Sequence, residues 1–196
     1  MARQFSAQAS SELETIIADF PNKKSALLMV LRLAEREFGF LDDSAMELVA
    51  RSCDVSPAHV LGMVTFYTHF KRPYHGKHRF MVCATLMCSI GGPHGKTDDA
   101  LQVLKEKLGL APGERSEDGL FSVEKVECLA DCNQPPVMQK DNEHKVRMGK
   151  EELSRYVDDL LKKDGLSAGH YSGKTVVRMD QTMPQKYMKQ RIHSHL

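Results

Sequence analysis

Four cysteines limit what this chain can become more than any other feature. Cys83 and Cys88 are spaced C-x4-C, and further along Cys128 and Cys132 are spaced C-x3-C. The chain has five cysteines in 196 residues, an odd number. Its first residues reach Glu12 and Glu14 without the apolar stretch of a secretory signal, and the longest clean apolar run, Ala26 to Leu31, is far too short to span a bilayer. The expectation is a soluble, intracellular chain whose cysteines bind metal or act as reactive thiols rather than form a disulfide framework. A formal net charge of +1 gives no overall electrostatic reason to seek nucleic acid.

The pattern around these cysteines predicts an α/β fold: a small N-terminal helical bundle followed by a domain with a four-stranded mixed sheet. Over residues 11–74 apolar positions such as Ala26, Leu27, Val30, Leu31 and Ala34 recur at three and four, and strand signals are absent. Pro21-Asn22 opens one helix, Gly39 follows its last apolar residue, and Ser56-Pro57 supplies a cap and a first-turn proline. From residue 75 to 163 the order is β-α-β-β-β-α. Strands are expected at Arg79 to Val82, Phe121 to Glu127, Val137 to Lys140 and Lys145 to Met148, with helices from Asp98 to Leu108, capped by Thr97, and from Lys150 to Lys163. One βαβ unit, a hairpin and a covering helix bring both cysteine loops to places where strands end, so the pairs can meet. Residues 164–196 lose periodicity and collect Lys174, Arg178, Lys186, Lys189 and Arg191, which reads as a basic tail, extended or docked on a partner.

Four thiolates suit either an iron–sulfur cluster or zinc, because both favour soft ligands and tetrahedral geometry at each metal. Structural zinc sites usually use tighter knuckles, and the wider loops here leave room for two irons with bridging sulfides. Thiol–disulfide chemistry would favour a Cys-x-x-Cys, which the chain lacks. A two-histidine variant of the cluster would have to recruit His94, although four cysteines already fill the ligand set. Cluster and zinc both remain open on spacing alone.

The stretches Val82-Cys83-Ala84-Thr85-Leu86-Met87-Cys88, Gly113 to Phe121, and Val126-Glu127-Cys128-Leu129-Ala130-Asp131-Cys132-Asn133-Gln134-Pro135-Pro136 resemble the thioredoxin-like [2Fe–2S] subunit family of NADH-quinone oxidoreductase, the respiratory complex I. The likeness extends upstream through Ala34 to Gly39 and Val64 to Phe70, and covers about residues 12 to 163. It implies that Cys83, Cys88, Cys128 and Cys132 ligate one [2Fe–2S] cluster and that the α/β part is a thioredoxin-like ferredoxin. It also implies a neighbouring flavoprotein subunit that holds FMN and binds NADH, and a cytoplasmic place beside the inner membrane within the complex. Related subunits serve NAD-dependent hydrogenases and formate dehydrogenases. A zinc-stabilised thioredoxin-like binding module without a redox role is the rival of another class. The chain departs from the family in carrying Ala130 and Asp131 where a glycine and a small or uncharged residue are usual. An inward carboxylate there disfavours the extra electron on an anionic cluster. No G-x-G-x-x-G follows a strand, so two-electron oxidation of NADH is expected on the partner's flavin, not on this chain.

Other features have plainer readings. Gly91 to Thr97 looks like a phosphate loop but fails at Ile90, so a turn beside the cysteine loop is expected. Cys53 reads as a small buried hydrophobe. His69, His75 and His78, with Lys71, Arg72, Lys77 and Arg79, read as a solvated linker or else a partner contact. Phe66, Tyr67 and Phe70 read as core or interdomain packing, and Pro135-Pro136 as a loop brace opening an edge strand.

Overall fold

The computed structural model describes residues 3–166 and 176–178. The chain divides into two compact units, Met1–Pro73 and Tyr74–Leu196.

The first unit is helical: α1 (Ala7–Ala18), α2 (Leu27–Phe38), α3 (Asp43–Cys53) and α4 (Pro57–Phe66), with one 3-10 turn at Lys23–Ala26. Caps fix the boundaries. Ser6, Asp42 and Ser56 accept from the amides of Ala9, Ala45 and His59 in the first turns of α1, α3 and α4. Gly39 ends α2 in the left-handed conformation, φ 77°, where a side chain would be strained. α2 buries Leu27, Val30, Leu31 and Ala34 against Met46, Val49 and Val60. Cys53 lies in this core as expected, fully buried, and burial pushes its thiol up to about 11. Phe70 also lies in the core, but Phe66 is 76% exposed and Tyr67 38%, which corrects the expectation that all three aromatics are packed. The spacing put them on a helix, yet α4 stops at Phe66 and the next residues leave its buried stripe.

The second unit is a mixed sheet with helices. Its strands are β1 (His78–Cys83), β2 (Glu114–Ser116), β3 (Phe121–Val126), β4 (Met138–Lys140), β5 (Glu143–Lys145) and β6 (Val176–Arg178). Its helices are α5 (Leu86–Ile90), α6 (Thr97–Leu108) and α7 (Lys150–Lys163). Among the described residues the sheet has the order β5-β4-β1-β3-β2-β6. β1 and β3 run parallel, with His78 opposite Phe121 and Cys83 opposite Val126, and every other pair is antiparallel. All six residues of β1 are buried, as befits a strand covered on both faces. α6 packs on α7, and Leu104, Leu108, Leu153, Val157 and Leu161 join Phe80, Phe121 and Val123 in one core.

The fold class stands as read, with six strands where four were expected. β2 and β6 have three residues each, too short to carry an alternation pattern. The last expected strand sits earlier, at Glu143–Lys145, because the chain turns at Arg147 with φ 57°. β4 is interior, between β5 and β1, so Pro135 and Pro136 brace the loop before it rather than open an edge strand. The Pro135–Pro136 bond is cis. Apart from Val176–Arg178, the basic tail lies outside the described residues.

The basic stretch is solvated only in part: His69 and Lys77 are exposed. Arg72, His75, His78 and Arg79 are buried. Arg79 donates twice to Glu124, Nε to Oε1 at 3.0 Å and Nη2 to Oε2 at 2.7 Å, and His75 Nε2 lies 3.1 Å from Oε1. His78 Nε2 meets Asp164 Oδ2 at 2.5 Å. The contacts from His75 and Arg79 hold Glu124 down to about 2 against the desolvation that opposes it.

Candidate functional site

The site begins where β1 ends. Cys83 is the last residue of that strand, and its amide donates to Val137 O at 3.1 Å while the next amide, Ala84 N, donates to Val126 O at 3.0 Å. The chain then turns into the short helix α5, which carries Cys88 inward. Cys83 and Cys88 are both 1% exposed and share a small apolar cluster with Val137, against which Leu129 and Val146 pack. Cys128 and Cys132 follow β3 and are exposed.

The second loop is shaped by one residue in an unusual conformation. Ala130 has φ 65°, the left-handed region that favours glycine, and this bend turns its own amide back onto Cys128 Sγ at 3.4 Å. It also brings Cys128 Sγ within 3.4 Å of Cys132 Sγ. Two thiolates bound at about 2.3 Å to one tetrahedral metal stand roughly 3.8 Å apart, so this pair needs little movement to share an ion. Among the described residues no three His, Cys, Asp or Glu side chains are gathered to hold a single metal ion.

The thiols are electrostatically joined. Cys83 interacts with Cys88 through a hydrogen bond and with Cys128 and Cys132 through charge. Burial raises the Cys83 thiol, but the Thr85 hydroxyl at 3.2 Å and the amides of Thr85 and Leu129 outweigh it and hold its pKa below the ordinary value. Burial pushes Cys88 up to about 11 despite the Val137 amide. Cys128 is lowered by the Ala130 amide and Cys132. Cys132 is raised by its hydrogen bond to Cys128, by burial, and by nearby negative charge that includes Asp131. Within each loop the two thiols titrate together, and as paired anions they would repel one another unless a cation lay between them.

Several supporting residues were not legible in the sequence. Thr97 is inside α6 rather than capping it, and its buried hydroxyl donates to Cys83 O at 2.7 Å, pinning the helix start to the end of β1. Asp99 accepts from the Lys96 amide at 3.0 Å and does the capping instead. The Gly91 to Thr97 stretch forms a tight turn, with Gly92 and Gly95 bonded to each other, as expected. Gly149 is held to glycine by its neighbour, since a Cβ there would lie 1.8 Å from His94 O. His144 on β5 reaches back to the second cysteine loop, its Nε2 3.4 Å from Asp131 Oδ2, while Gln134 Nε2 donates to Asp131 Oδ1 at 3.0 Å.

The chain is similar to several known proteins. A family model described as thioredoxin-like [2Fe-2S] ferredoxin matches residues 13–161. The chain is 37% identical over 133 residues to NADH-quinone oxidoreductase subunit 2 of Thermus thermophilus, covering 67% of this chain and 71% of that protein. It is 32% identical over 157 residues to the E subunit of NADH-quinone oxidoreductase from Aquifex aeolicus, covering 78% and 96%. The crystal structure of an NAD+-reducing [NiFe]-hydrogenase in the H2-reduced state shares the fold, with a TM-score of 0.53 at 16% identity over 80% of this chain. This chain spans 23% of that one.

Proposed function

The chain belongs to the thioredoxin-like [2Fe–2S] ferredoxin family, among the E subunits of NADH-quinone oxidoreductase, and from that premise we propose that Cys83, Cys88, Cys128 and Cys132 hold one [2Fe–2S] cluster through which it exchanges single electrons with the FMN of a partner flavoprotein. The observation that carries this reading is that both cysteine loops leave the same ends of the parallel strands β1 and β3, with Cys83 opposite Val126 and Cys128 two residues beyond it. When bound, such a cluster supplies one-electron chemistry and accepts no hydride, so NADH is oxidised on the partner subunit.

The chain's own residues fit that role in three ways. The Thr85 hydroxyl and the Ala130 amide donate toward Cys83 and Cys128, favouring their anionic ligand forms. The Cys83 and Cys88 side is closed by Val137, Leu129 and Val146, which keeps water from half of the site. The Cys128 and Cys132 side is exposed, leaving a face open to an electron donor. Among the described residues no helix is long and apolar enough to cross a membrane, which agrees with attachment through a complex. The equivalent role in an NAD-dependent hydrogenase has the fold likeness in its favour, but the identity to the E subunits is twice as high.

The test is the visible and low-temperature EPR spectrum of the full chain, purified without oxygen, before and after dithionite, with iron, sulfide and zinc assayed on the same sample. About two irons and two sulfides per chain, with an S = 1/2 signal on reduction, is the expected result. Stoichiometric zinc with no signal after anaerobic reconstitution would replace electron transfer with a zinc-stabilised module.

A further inference from the structure

The carboxylate of Asp131 directly precedes the proposed ligand Cys132, and the fold does not leave it loose. One oxygen accepts from Gln134 Nε2 at 3.0 Å, and the other faces His144 Nε2 at 3.4 Å. Both anchors are themselves tied down. Gln134 N donates to Asp131 O at 3.1 Å, and Gln134 O accepts from Arg147 N at 3.0 Å. His144 sits on β5 opposite Gln139 of β4. The Asp131 side chain is 29% exposed, so solvent screens it only in part. Held at two points, it is kept beside Cys132 instead of swinging away into water.

We infer that Asp131, clamped between Gln134 and His144 beside Cys132, sets the reduction potential of the four-cysteine site and keeps it low. The inference rests on the proposed cluster. Reduction adds one electron, supplied by dithionite during titration, to a centre already made anionic by four thiolates and two sulfides. No bond is made or broken, and the added negative charge lies close to a fixed one. That proximity disfavours the reduced state by Coulomb repulsion. The sequence left the carboxylate's direction open, and the structure holds it against Gln134 and His144, near enough to Cys132 for its charge to raise that thiol.

The experiment is a mediated potentiometric titration of the full-length holoprotein, followed by the EPR amplitude of the reduced cluster. The proteins compared are wild type, D131N, D131S, D131E and D158N. Asp158 pairs with Lys107 near the end of α6 remote from Cys83, so D158N removes a carboxylate without touching the site. The expected result is that D131N and D131S favour the reduced form by roughly three- to tenfold. For one electron this raises the midpoint by about 30 to 59 mV. D131E, which keeps the charge, should stay within about twofold of wild type, and D158N should be unchanged. Two neutral replacements guard against a loading defect in either one. An EPR signal present in all proteins with no shift in D131N or D131S would overturn this inference and leave the ligand assignment standing. A D131E midpoint matching D131N would assign the effect to shape and overturn it as well. No S = 1/2 signal in wild type would remove the cluster and the inference together.

Discussion

Replacing Glu124→Gln should cost the second unit roughly 3 kcal/mol at neutral pH. Glu124 lies on β3 beside β1, its side chain 17% exposed, and it answers the guanidinium of Arg79, whose side chain is 4% exposed. Its pKa falls from 4.5 to about 2, a depression of about 2.5 units, and at about 1.36 kcal/mol per unit the ionised form is favoured in the fold by roughly 3 kcal/mol. The glutamine keeps the shape but removes the charge that faces Arg79 and His75, and breaking a buried pair typically costs about 3–5 kcal/mol. Because the folded pKa is depressed, this stability is fully present above about pH 4.5 and is lost as the pH falls toward about 2. Urea unfolding followed by far-UV circular dichroism, repeated from about pH 7 down to about 2.5, should show a gap between wild type and variant that is constant at first and narrows in acid. Hydrogen exchange would place the loss in the paired amides of His78–Cys83 and Phe121–Val126. A cost below about 1 kcal/mol at neutral pH, or a gap that does not narrow in acid, would refute the reasoning.

Two further substitutions test the cysteine loops. Ala130→Gly removes the penalty of about 1–2 kcal/mol for a side chain at φ 65°, offset by the greater freedom of glycine in the unfolded chain, so the urea midpoint should rise by the equivalent of about 0.5–1 kcal/mol. A lowered midpoint would mean that the left-handed conformation carries no strain. Thr97→Val keeps the branched shape but deletes the hydroxyl on the Cys83 carbonyl, and should cost about 1–2 kcal/mol by the same assay. A loss under about 0.3 kcal/mol would show that the carbonyl is satisfied without it.

What could be read in the sequence was local, and what could not was paired over distance. Helix limits follow from residues within one turn, as with Ser56-Pro57 and Gly39, and the cysteine spacings are short motifs. The basic stretch misled because its partners are remote: Arg79 finds Glu124 on β3 and His78 finds Asp164 after α7. A run of cations with no acids beside it in the chain looks solvated until the sheet assembles. Asp131 was visible as an oddity, but its direction depends on His144, which arrives on a strand formed later in the chain. Phe66 failed for another reason: it is still on α4 but two positions past the buried Val64, and residues two apart do not share a helix face.

The direction of one strand pair does most to bring the site together. β1 and β3 run parallel, so both strands end at the same edge of the sheet. Cys83 closes β1 opposite Val126, and Cys128 stands two residues beyond Val126. Had β3 run antiparallel, the length of a strand, roughly 20 Å, would separate the two loops, too far for any small cluster to bridge. Parallel pairing in turn requires a crossover, and α6 supplies it, with Thr97 fastening its first turn to the Cys83 carbonyl. The other end of β1 is fixed by buried charge through Arg79 and His78. Cys83 therefore ends a strand held at its start by ion pairs and at its end by a hydroxyl, while Cys128 and Cys132 hang on a loop bent by Ala130 and braced through Asp131. With the proposed cluster in place, sequence change in that exposed loop would retune its electron affinity while the buried half keeps its geometry.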